Sequence, residues 1–153
     1  MRYLLMIKAY TDGAAKGNGS VGCKGGYGVF ILHPCGKQEK FCGGIKDATN
    51  NIAELTAIIK ERNVRKTSQP NEAVEILTDS SYAVKGLNEW LPNWVKKGWR
   101  TSTGQPVKNQ ILWEQLAILY KPNVKLTWVK GHSTVEGNLE ADKLANQGVE
   151  KLK

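Results

Sequence analysis

The sequence predicts an α/β fold: a five-stranded mixed sheet, three antiparallel strands followed by two parallel ones, flanked by helices. Three observations carry this expectation. Before residue 47, three β-rich stretches are joined by short connections, as in an antiparallel meander. After it come two short apolar strands, each preceded by helical periodicity, as parallel crossovers require. Finally, 41% hydrophobic and 24% charged residues in a chain of 153 suit one globular domain spanning residues 1–153, and exclude disorder and low complexity.

The elements follow in order. Tyr3 to Thr11 is apolar and reads as a buried strand. Gly13 to Gly26 holds six glycines in fourteen residues and reads as a loop. Gly28 to His33 is a second strand, and Pro34-Cys35-Gly36-Lys37 turns the chain into a third, near Gln38 to Ile45. Residues 51–64 carry Ile52, Leu55, Ile58 and Ile59 on one helical face, with Thr49 or Asn50 available as a cap. Val74 to Thr78 is a short strand opening on Asp79, and Ser80 to Asn88 is helical. Pro106 to Tyr120, Val124 to Val129 and Leu139 to Leu152 read as helix, strand and helix, with a loop from Gly131 to Gly137 before the last.

Several classes of protein are excluded by composition and pattern. No stretch approaches the roughly 20 apolar residues of a membrane span, and the apolar start breaks at Lys8 without a small-residue cleavage site. Three cysteines, Cys23, Cys35 and Cys42, are odd in number and lack C-x-x-C spacing, which argues against a disulfide framework or zinc site and for a reducing, cytoplasmic compartment. The net charge of +8 is unevenly spread: five cations and one anion between Lys85 and Lys108 hold half of it, together with Trp90, Trp94 and Trp99. Cations interleaved with flat rings suit a nucleic-acid backbone; the same spacing also suits a surface helix with tryptophan anchors and solvated lysines. Composition leaves both open.

Four acids fall where α/β sheets collect reactive groups: Asp12 after the first strand, Glu54 early in the first helix, Asp79 after the fourth strand, and Asp142 near the start of the last helix. Each alone has an ordinary use as turn residue, cap, dipole partner or solvated side chain. Together, converging carboxylates would repel and raise one another's pKa unless cations sat among them. Hard oxygen donors suit Mg²⁺ or Mn²⁺, and a pair of such ions about 4 Å apart activates a water on one side and stabilises a leaving oxygen on the other. His132, in a loop ten residues before Asp142, could take or pass a proton at neutral pH. His33 is assigned no role, and no phosphate-cradling loop or nucleophile elbow is present.

The segments Tyr10-Thr11-Asp12-Gly13-Ala14, Thr49-Asn50-Asn51-Ile52-Ala53-Glu54-Leu55, Leu77-Thr78-Asp79-Ser80, Trp128-Val129-Lys130-Gly131-His132 and Asn138-Leu139-Glu140-Ala141-Asp142 resemble, in order, the signatures of type 1 ribonuclease H. Residues 90–100 resemble the basic protrusion, or handle, of its bacterial members. The resemblance covers nearly the whole chain. It implies the ribonuclease H-like fold and an endonuclease that cuts the RNA strand of RNA/DNA hybrids, leaving 3′-hydroxyl and 5′-phosphate ends. Two Mg²⁺ ions per site, with Mn²⁺ as substitute, would be held by Asp12, Glu54, Asp79 and Asp142, with His132 assisting proton transfer or product release. By the same resemblance Asn50 and Asn51 contact the hybrid's minor groove, Thr49 lies near a DNA phosphate, Asn18 and Asn138 touch substrate, and Trp90, Trp94, Lys96, Lys97 and Trp99 hold the DNA strand.

That assignment suits the chemistry. The 2′-hydroxyl that distinguishes RNA lies in a wide, shallow minor groove, where amides and asparagines can read it without reading sequence. Two departures stand out. The Gly-rich loop has apparent extra residues at 20–24, and Ser81 stands where many bacterial members have a substrate-touching glutamine, so its shorter side chain would reach RNA through water. No hybrid-binding domain is expected before the catalytic one, no obligate protein partner is implied, and a monomer is expected. A DNA nuclease of the same fold and a non-catalytic duplex binder are the other readings; the Val129–Ser133 loop and the handle argue against the first, and the intact acids against the second.

Overall fold

A computed structural model describes residues 6–16, 24–64, 72–101, 103–119, 123–130 and 136–151. Its five strands form one sheet in the order β3-β2-β1-β4-β5: β1 (Ile7–Lys16), β2 (Lys24–Leu32), β3 (Gln38–Lys46), β4 (Val74–Thr78) and β5 (Val124–Trp128). The first three pair antiparallel, while β4 joins β1 and β5 joins β4 in parallel. The expected five-stranded mixed sheet is thus what forms.

Alternation along the strands sorts side chains to two faces. Ile7, Ala9, Val29, Ile31, Val74 and Ile76 meet Leu55, Ile58 and Ile59 of α1 (Asn50–Val64) and Trp113 and Leu116 of α4 (Gln110–Leu119). Tyr10 and Phe30 point the other way, onto Ala141 and Leu144 of α5 (Glu136–Glu150). On that face the approach is unusually close. A Cβ on Gly26 or Gly28 would overlap the α5 backbone at Ala141, Ala145 and Gly148, so only glycine lets the helix lie this near the sheet.

Several expected boundaries are corrected. Asp12 does not follow the first strand; it lies within it, because β1 continues to Lys16 against β2, with Asp12 opposite Gly28 and Lys16 opposite Lys24. Part of the expected Gly-rich loop is therefore strand: small residues there pack beneath helices. Residues 17–23 of that loop, including Asn18, lie outside the described residues. Ser80, not Asp79, caps α2 (Ser81–Lys85), its hydroxyl accepting the Ala83 N–H at 3.0 Å. A π-helical turn, Gly86–Trp90, then leads into α3 (Leu91–Lys96), dividing the expected helix. Gly86 lies against the Trp113 ring, where no side chain fits. Finally, α4 begins at Gln110 rather than Pro106, since Val107 N–H bonds back to the Trp99 carbonyl at 3.1 Å and Arg100 pairs with Pro106.

Candidate active site

The site grows from the switch between antiparallel and parallel halves of the sheet, where β1 and β4 lie side by side. β1 brings Asp12, the turn after β4 brings Asp79, and α1 lies across β1 with Glu54 in its second turn. Contact between α1 and β1 requires Gly13, because a Cβ there would overlap the backbone of Ala53 and Glu54. The Gly13 N–H donates to the Glu54 carboxylate and to Asp12 Oδ1, the latter at 2.9 Å. Thr78 Oγ1 lies 3.4 Å from the other Glu54 oxygen. One carboxylate oxygen each from Asp12, Glu54 and Asp79 falls within 4.8 Å of the others.

Electrostatics at this cluster are those of acids brought close together. Burial, then hydrogen bonding and repulsion from Glu54, then Asp79, push the Asp12 carboxyl up to about 10. Burial raises Glu54 to about 7, opposed by its bonds to Asp12 and the Gly13 amide and reinforced by the Asp79 charge. Asp12 and Glu54, 6% and 8% exposed, are both pushed toward their protonated forms, burial being the largest cause for each. A divalent cation removes the conflict. The donor set, carboxylate oxygens only, fits a hard ion such as Mg²⁺ or Mn²⁺ rather than a softer metal.

Asp142, in the second turn of α5, borders the same open cleft and adds to the upward push on the Asp12 carboxyl. The cleft, about 450 Å³, is further lined by Gly13, Asn50, Asn51, Ser80, Ser81 and Tyr82. Asn50, Asn51 and Ser81 are exposed on its rim, and Thr49 caps α1 by accepting the Ile52 N–H at 3.2 Å. Asn138, by contrast, is 3% exposed and is not among the residues lining the cleft. His132 and Asn18 lie outside the described residues.

Tyr82 was not legible as a site residue. Its hydroxyl accepts from Trp113 Nε1 at 3.1 Å and Asn109 Nδ2 at 3.2 Å, so residues from the loop after α3 and from α4 converge on the cleft wall. From there a line of rings runs outward: Tyr82 to Trp113 at 5.4 Å, Trp113 to Trp94 at 5.3 Å, and Trp94 to Trp90 at 5.8 Å. Trp90 and Trp94 thus anchor the basic segment, as the surface-helix reading expects, and also line a second groove with Asn93, Lys97, Arg100 and Thr101. Lys96 and Lys97 are exposed, while Trp99 is half-buried at a φ of 65°, following Gly98 at 68°. Asn93 and Thr101 join this groove without having been singled out, whereas Arg100 was one of the segment's five cations; Asn93 sits between Trp90 and Trp94, the signal that could have found it.

Comparison with known proteins agrees with this arrangement. The RNase H family model matches residues 6–150. The chain is 44% identical over 147 residues to a ribonuclease H of Pseudomonas aeruginosa (strain LESB58), covering 95% of each. It is 42% identical over 147 residues to a ribonuclease H of Cupriavidus necator, covering 95% of this chain and 97% of that one. Among solved structures, LC9-RNase H1, a type 1 RNase H with the type 2 active-site motif, superposes with a TM-score of 0.83 at 26% identity, over 97% of this chain and 74% of that one. The PFV RNase H domain superposes at 0.74, also 26% identical, over 95% and 94%. With the family model and its relatives spanning nearly the whole chain, and acids gathered where β1, α1 and β4 meet, the chain belongs to the ribonuclease H family, in its type 1, bacterial form.

Proposed function

We propose that this ribonuclease acts as an endonuclease on RNA/DNA hybrids, hydrolysing the RNA strand with two divalent ions, Mg²⁺ or Mn²⁺ in its place, and leaving 3′-hydroxyl and 5′-phosphate ends. The observation that carries the reading is the group of three carboxylate oxygens from Asp12, Glu54 and Asp79, within 4.8 Å of one another and open to solvent through a cleft. Asp12, Glu54 and Asp79 would hold the ions, and Asp142 would complete the second position. When bound, such ions lower the pKa of water and offset charge on the scissile phosphate.

The chain's own residues do the rest. Asn50 and Asn51, exposed beside the acids, would read 2′-hydroxyls in the minor groove, with Ser81 reaching through water and Thr49 beside a DNA phosphate. The groove of Trp90, Trp94 and Lys97, with Lys96 and Trp99 nearby, would grip the DNA strand and set how deeply the RNA enters the cleft. His132 would accept or pass the proton. Asn18 and Asn138 would support substrate contact, Asn138 from its buried place in the first turn of α5. The chain would act as a monomer in the cytoplasm; among the described residues no helix is long and apolar enough to cross a membrane.

The test is cleavage of RNA/DNA, DNA/DNA and RNA/RNA duplexes of one sequence, in millimolar Mg²⁺ with and without EDTA. Only the RNA of the hybrid should be cut, and only without EDTA. An intact hybrid across pH and low salt sinks the proposal.

A further inference from the structure

Asp79 stands on a turn, neither in a strand nor in a helix, so its direction depends on what holds that turn. The preceding residue is fixed from two sides: Val129 N–H donates to the Thr78 carbonyl at 2.8 Å, and Ser80 N–H donates to Thr78 Oγ1 at 3.1 Å. The Asp79 carbonyl is a different case. In a continued helix it would accept the N–H of Ala83, four residues on, but that N–H is taken by the capping hydroxyl of Ser80. The capping arrangement therefore turns the Asp79 carbonyl away from the helix, and it is met by the indole N–H of Trp128 at 3.2 Å.

Trp128 is the last residue of β5, in register with Thr78 on β4. It is 51% exposed, an uncommon position for a ring of this size, yet its polar edge is turned to the backbone of a site acid. We propose that Trp128 is a positioning residue for Asp79: its N–H fixes the peptide plane after Asp79 and so aims the carboxylate at Asp12 and Glu54. The inference rests on the reading of these acids as a divalent-ion site. It assigns the exposed indole a task in ion affinity rather than in substrate contact or in the core.

Replacing Trp128 with 3-benzothienylalanine keeps the ring's shape and exchanges the N–H for sulfur; W128F removes the donor by a second route. Calorimetric binding of Mn²⁺ to the full chain without substrate, and the Mg²⁺ dependence of hybrid cleavage, are then compared with wild type. The isostere should weaken ion binding roughly threefold to tenfold, the loss expected for one hydrogen bond. Excess Mg²⁺ should restore kcat, with KM for the hybrid unchanged. Unchanged ion binding in the isostere overturns the inference alone, as does a raised KM with unchanged ion binding, which would make Trp128 a substrate contact. No ion uptake by the wild-type chain overturns the ion-site reading and this inference with it.

Discussion

Glu54 accepts the backbone N–H of Gly13, the residue that follows Asp12. Helix α1 and strand β1 are thus tied together at the cluster itself, by a bond between one acid and the neighbour of another. The separation of the two carboxylates is set by backbone contact, since Gly13 and Ala53 touch without a side chain between them.

G13A should therefore damage stability and activity together. The added methyl overlaps the α1 backbone, and overpacking of this kind costs about 1–3 kcal/mol. Urea denaturation should show a lowered midpoint, and cleavage should fall further than the unfolded fraction explains, because α1 must move away from β1. Wild-type activity per folded molecule would refute the link between this contact and the acid spacing.

The raised pKa values give a pH dependence with a definite sign. Unfolded, both acids titrate near 4. Folded, Glu54 holds its proton to about 7 and Asp12 to about 10. Between those limits the folded chain binds more protons than the unfolded chain, so the stability contributed by these groups is complete below about pH 4 and is lost as pH rises through 7 and toward 10. D12N removes the carboxyl most responsible. In EDTA, its Tm should exceed that of wild type by a margin that grows from pH 5 to pH 9, while Mg²⁺ narrows the margin by stabilising wild type. Its cleavage rate should drop at least about 100-fold with hybrid binding kept. A Tm difference that is flat with pH would contradict the burial argument.

For the basic segment, neutralising Lys96 and Lys97 together should lower the slope of log affinity against log salt by up to about 2, one unit for each phosphate no longer neutralised. Fluorescence titrations of catalytically blocked protein with hybrid, from low to moderate salt, read this directly. An unaltered slope would mean that both ammonium groups are merely solvated.

How much was legible in the sequence differs by element, for physical reasons. Val74–Thr78 could be read residue for residue, because a short β-rich run, interrupted only by Glu75, closes on the turn at Asp79. The second half of β1 could not. Gly13, Ala14 and Ala15 carry no pattern of apolar and polar side chains, since the strand there is held by pairing with Lys24–Gly28 and pressed beneath α1 and α5. The acids were legible from their places near strand ends and helix starts, and Asp12 was found despite a misjudged strand end. Tyr82 was not, because its role arises from Asn109 and Trp113, 27 and 31 residues away in sequence. Nor could any pattern show that Ser80, by capping α2, turns the Asp79 carbonyl toward Trp128.

The glycine seam beneath α5 has a bearing on how this chain can vary. With Gly26 and Gly28 of β2 set directly against the helix backbone, these positions and Gly148 facing them are closed to any side chain, so the distance of α5 from the sheet is fixed by backbone contact. Room for substitution lies instead at the outward positions Lys143, Asn146, Gln147 and Glu150, all exposed. The face that presents Asp142 can diverge in charge and solubility on one side while acting, on the other, as a gauge that admits a single setting.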